Sequence, residues 1–92
     1  MEIHEAITRL RAALGWTKER LADELGVTGM SIDHWEKQRH QPTDVHRVKL
    51  ADVARTEGLA NLPRRDKDGR RRWLDLIEAL EPESFRKEAA RP

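Results

Sequence analysis

Ninety-two residues, 37% hydrophobic and 38% charged, suit one small domain with a modest core: too apolar and periodic for disorder, too short for two independent cores. The lack of cysteine excludes a disulfide frame and a thiolate metal site and fits a cytoplasmic protein, while the short apolar runs and the acidic, amphipathic start "MEIHEAITRL" argue against a membrane span or signal peptide. Eighteen basic against 17 acidic side chains leave a net charge of +1, so the partner depends on where the charges sit.

Ile3, Ala6, Ile7, Leu10, Ala13 and Leu14 recur at three- and four-residue steps, which predicts a helix with one apolar stripe that ends at Gly15. Thr17 suits the N-cap of a second helix over 17–25, because its hydroxyl oxygen accepts from a free backbone N–H of the first turn. Leu21, Ala22 and Leu25 form the buried side of that helix, and Gly26 its left-handed stop. Thr28 offers another cap. Ile32 and Trp35 mark the inward side of a third helix over 29–37, which leaves Met30, Asp33, His34 and Lys37 pointing away.

Pro42 and Thr43 open a fourth helix in which Val45, Val48, Leu50, Ala51, Val53 and Ala54 run on to about Glu57, with Gly58 as its expected stop. From Leu59 the character changes. "NLPRRDKDGRRR" holds a proline, a glycine and a crowd of like charges, which predicts a linker or a basic loop. Trp73, Ile77 and Leu80, with Leu74 and Leu76 beside them, give a short amphipathic helix, and Pro82 opens a final turn or two. The expected fold is all-α: a small bundle of four to five N-terminal helices over 1–58, a basic linker or arm over 59–72, and a helical extension over 73–92.

The break between the second and third helices, Gly26 to Thr28, is too short for an antiparallel hairpin and holds the two at an angle. Helix, short glycine-containing turn and crossing helix form the helix-turn-helix unit, whose second helix lies in the DNA major groove. The sequence resembles the phage-repressor and Cro family of helix-turn-helix proteins over about residues 3–57. "LR" at Leu10-Arg11, "GWT" at 15–17, "LADELGVT" at 21–28, "IDHWE" at 32–36 and the closing Pro42 match its pattern in order and spacing.

That resemblance implies double-stranded DNA as partner and a role for each matching position. Arg11 and Glu36 would pair and tie the first helix to the recognition helix, the alternative being two unrelated surface charges. Thr28, Gly29, Met30, Ser31, Asp33 and His34 fall where the family reads bases. The family often places Gln or Arg where this chain has Gly29 and Met30, so the side chains that pair bidentately with guanine or adenine are missing there. Met30 suits a thymine methyl, Asp33 a cytosine amine and His34 a guanine acceptor; Asp33 would also repel phosphates and so reject wrong sequences. Thr17, Lys18, Lys37, Arg39 and His40 are the candidate phosphate contacts, Arg39 ahead of His40 because its charge is permanent.

Arg64, Arg65, Lys67, Arg70, Arg71 and Arg72 make either a second phosphate-binding arm or a solvated linker diluted by Asp66 and Asp68. The stripe of Trp73, Leu76, Ile77 and Leu80 must fold back on the bundle or pair with another chain; the family's habit of binding as two-fold dimers favours a homodimer interface. The favoured function is a repressor on a near-palindromic operator. One alternative is an antitoxin whose segment from Leu59 binds a toxin; another is a protein-interaction module on the same scaffold without DNA binding. No enzyme is expected, nor any cofactor or metal: no nucleophile-and-base order and no Gly-rich phosphate loop appears, and His34, His40 and His46 stand six apart, a period that fits no helix face.

Overall fold

In the computed structural model, which describes residues 1–84, the chain runs through α1 (Ile3–Leu14), α2 (Lys18–Leu25), α3 (Gly29–Glu36), α4 (Asp44–Val53) and α5 (Lys67–Leu80), with no strand among the described residues. The protein is all-α, as its periodicity predicts. α1 buries Ala6, Ile7 and Leu10, and its last turn closes on Gly15 at φ 69°, a left-handed conformation that costs glycine nothing. The Thr17 side chain accepts from Arg20 N–H at 3.0 Å and that of Thr28 from Ser31 N–H at 3.2 Å, so both expected caps start their helices. Between them Gly26, at φ 73°, turns the chain sharply enough for α3 to cross α2.

Leu21, Leu25, Ile32 and Leu50 are fully or almost fully buried, and they join α1, α2, α3 and α4 into one core with Ile7 and Leu10. Thr43 caps α4 through His46 N–H at 3.3 Å. Gly58 does not stop this helix. After Val53 the winding widens into one π-turn over Ala54–Gly58 and then tightens into a 3₁₀ turn over Leu59–Asn61. The cause sits across the groove: a Cβ at Gly58 would overlap the Trp73 ring, and the Ala54 carbonyl accepts from the indole N–H of Trp73 at 2.5 Å. The π-turn accommodates a helix packed against it, as such bulges often do.

The last helix begins six residues before Trp73, inside the stretch read as linker. Asp66 accepts from Gly69 N–H at 2.9 Å and caps it, and Arg70, Arg71 and Arg72 wind within it despite their like charges. What holds the helix is its other side: Leu76, Ile77, Ala79 and Leu80 are buried in the same core as α1 and α4. Arg47 then closes its C-terminal end, donating from Nε to the Leu80 carbonyl at 3.1 Å and from Nη2 to those of Ala79 and Glu81 at 3.1 and 2.8 Å. A cation there satisfies orphan carbonyls and meets the negative end of the helix dipole. The turn expected after Pro82 falls largely on residues 85–92, outside the described residues.

Candidate nucleic-acid interface

α3 is held by its inward side. Ile32 and Trp35 are buried, the Trp35 ring lying 5.3 Å from that of His46 on α4. From the opposite flank Arg11 grips Glu36 bidentately, Nε to Oε2 at 2.7 Å and Nη2 to Oε1 at 2.9 Å, while Nη1 donates to the Trp16 carbonyl at 3.2 Å. The Arg11 and Glu36 side chains retain only 21% and 10% of their exposure, so solvent screens the pair weakly. The Glu36 carboxylate pushes the Arg11 pKa up through this hydrogen bond, and the charge is permanent at any working pH.

With α3 fixed this way, its outer side is open. Met30 is 68% exposed, so it is not a core gap-filler. Ser31, Asp33 and His34 are half-buried beside it and Thr28 is exposed at the start. The Thr28 and Ser31 hydroxyls lie 3.2 Å apart and Thr28 is already a cap, so these two shape the helix start as well as face outward. Glu19 of α2 fills the place beside Gly29: a Cβ at position 29 would stand 3.2 Å from its Oε1. A side chain at this position would therefore press on the end of the exposed Glu19 side chain, a neighbour inside the molecule that the sequence did not point to.

α3 ends on Lys37, and Gln38 takes φ 62°, a left-handed conformation uncommon without glycine. This folds the loop back so that Arg39 N–H reaches the His34 carbonyl at 2.8 Å, and the His34 and His40 rings approach to 5.2 Å. Arg39 and His40 stay exposed beside the outer side of α3. Nothing in a glutamine signals such a turn.

Two of the expected phosphate cations are engaged within the protein. Lys18 Nζ lies 2.5 Å from Asp33 Oδ1, and Lys37 Nζ lies 3.2 Å from Asp33 Oδ2. These two lysine hydrogen bonds, Lys18 first, hold the Asp33 carboxyl below the usual carboxylate range. The outer side thus carries Lys18, Lys37 and Arg39 against Asp33 and Glu19, a thin cationic surplus.

A helix-turn-helix family model matches residues 7–56, which takes in α1 through α4 and the crossing at Gly26. The chain belongs to the phage-repressor and Cro-like helix-turn-helix family. It is a DNA-binding helix-turn-helix regulator, with α2 and α3 as the crossing pair. No curated protein and no solved structure matches it significantly.

Within the basic cluster, Arg72 lies away from α3. Arg72 borders a shallow groove with Arg9 and Ala13 of α1. At about 100° per residue, Arg9 and Ala13 lie between about 100° and 160° around α1 from Thr8 and Arg11, which meet α3 through Glu36. Arg64 and Arg65 precede α5 and are exposed, as are Lys67, Arg71 and Arg72 on it; Arg70 is half-buried.

The expected dimer interface is corrected outright. Leu76, Ile77 and Leu80 are buried in the protomer's own core and Trp73 packs against it, because α1 and α4 leave a groove that this stripe fills. No helix among the described residues is long and apolar enough to cross a membrane, and no cluster of three or more His, Asp or Glu side chains among them is arranged to hold a metal ion.

Proposed function

We propose that this helix-turn-helix regulator is a sequence-specific repressor that seats α3 in the major groove of an operator and blocks transcription by occupancy. The observation that carries this reading is the openness of the α3 outer side, with Met30 at 68% exposure, beside a helix fixed on two flanks by buried Trp35 and the Arg11–Glu36 pair. A rigid support with an exposed face is what groove reading needs, since a side chain that wanders by an ångström loses its base. Met30 offers an apolar contact to a thymine methyl, His34 a ring nitrogen to a purine acceptor, and Arg39 with His40 flank the helix for phosphates. The chemistry is binding alone, so no enzymatic role is assigned, and the site of action is the cytoplasm.

Operators of this family favour two-fold pairing. Because the α5 stripe is internal, a second copy has to use other surface; Val45 and Val48 of α4 and Leu74 of α5 are exposed apolar residues available for it. The test is selection of a bound sequence from a random duplex library, followed by titration of the selected site at two salt concentrations and light scattering of the free and bound protein. A selected near-palindrome bound by two chains is expected. Recovery of no preferred sequence, or binding indifferent to sequence, defeats the proposal.

A further inference from the structure

Lys18 opens α2 and Lys37 ends α3, yet both close on one carboxylate, Asp33, at 2.5 and 3.2 Å. Asp33 sits in the middle of α3, between the base-facing Met30 and the phosphate-flanking Arg39. A lysine neutralised at this distance has little charge left to offer a phosphate, and freeing it strands a carboxylate against a polyanion. As a brace the cluster does little: the Lys18 and Lys37 side chains are 34% and 57% exposed, and pairs so open to water are worth little. Buried Leu21, Leu25 and Ile32 already hold α2 to α3.

We propose that Asp33 makes phosphate binding conditional on sequence. Where the duplex presents a base amine, cytosine N4 or adenine N6, in reach of Asp33, the carboxylate exchanges its lysine donors for the amine, and Lys18 and Lys37 move to phosphates. Where it presents none, the lysines stay on Asp33 and the protein holds the duplex through few contacts. Asp33 is thus a positioning residue for two cations as well as a base reader, and the thin cationic surplus of the face is a source of selectivity. This inference rests on the DNA-binding reading.

The test compares wild type, Asp33→Asn and Asp33→Glu by fluorescence anisotropy on a random-sequence duplex and on the site selected by wild type, over a salt series. Asp33→Asn is expected to bind the random duplex about tenfold more tightly at low salt, with a salt slope steeper by about 1–2 as two lysines gain phosphates. The ratio of selected to random affinity falls, while Asp33→Glu, which keeps the charge, behaves as wild type. A merely structural Asp33 would not steepen the slope. Random-duplex affinity and slope unchanged or reduced in Asp33→Asn overturn the proposal. Circular dichroism checks each fold, and Asp33→Ser supplies the same loss of charge if the Asn variant does not fold. Wild type that binds neither duplex instead defeats the DNA-binding reading itself, in an arm that no variant enters.

Discussion

Trp73 donates its indole N–H to the carbonyl of Ala54 at the point where α4 widens, and Gly58 leaves the room its ring occupies. The bond and the missing Cβ act together: any side chain at 58 displaces the ring and breaks the hydrogen bond. Gly58→Ala is expected to lower stability by about 1–3 kcal/mol through overpacking. Trp73→Phe is expected to cost about 1–3 kcal/mol through lost packing and the lost indole hydrogen bond, the Ala54 carbonyl keeping the Leu59 N–H as a donor. Urea unfolding followed by tryptophan fluorescence and circular dichroism measures both, and a neutral Gly58→Ala would contradict the packing described.

A chain ending at Leu62 tests whether α5 is an appendage or part of the core. Three large core side chains leave with it, Leu76, Ile77 and Leu80. Losses of about 2–5 kcal/mol each, set against a total stability of about 5–15 kcal/mol, leave little margin. The truncated chain is expected to lose its cooperative unfolding transition. A shortened protein that melts like the full chain would show that α5 is dispensable.

The helices of the DNA-binding unit were legible because their signals are local. Apolar steps, Thr17 and Thr28 as caps, and Gly15 and Gly26 as left-handed stops each act within one turn of their own helix. The inward side of α3 followed from Ile32 and Trp35 in the same way. Features that depend on a distant partner were misread or missed. Gly58 looks like a stop until Trp73 is seen to need its space, and residues 67–72 look like a loop until α1 and α4 are seen to bind the stripe that follows them. Arg47 gave no sign that it would cap a helix more than thirty residues away, and Lys18 none that its partner would be Asp33.

The Arg11–Glu36 pair is expected to couple stability to the seating of α3. Removing Arg11 leaves the largely buried Glu36 carboxylate with the Thr8 hydroxyl as a weak substitute. Arg11→Met should cost about 2–4 kcal/mol and Glu36→Gln somewhat less, since the amide keeps one acceptor. A double-mutant cycle by urea unfolding gives the coupling, expected at about 1–3 kcal/mol; additive single effects would show that the bidentate geometry contributes nothing.

Because its pairs are open to water, the Asp33 cluster adds only a shallow acid limb to the stability curve. Its folded-state pKa lies below the usual 3.8, so its contribution is complete above that value and is lost as pH falls through the lower folded-state value. The stability gap between wild type and Asp33→Asn should therefore hold steady from neutral pH to the usual carboxylate range and shrink below it. Urea midpoints taken at several pH values down to about pH 3 read this out. A gap independent of pH over that window would mean that the lysines do not hold the charged form.

Arg39 and Met30 separate grip from reading. Arg39 stands exposed in the loop after α3 with its backbone fixed to His34, so its charge is available to a phosphate on any sequence. Arg39→Ala should weaken selected and random duplexes alike and make the salt slope shallower by about 1. Met30 carries no charge, so Met30→Ala should leave the slope alone and weaken only sites with an apolar methyl in reach, by about 1 kcal/mol or somewhat more. Titrations of both variants on both duplexes over a salt series give the two patterns. If Met30→Ala instead weakens random and selected DNA equally, the outer side of α3 is not what reads the sequence, because a base contact that ignores the bases is only a backbone contact.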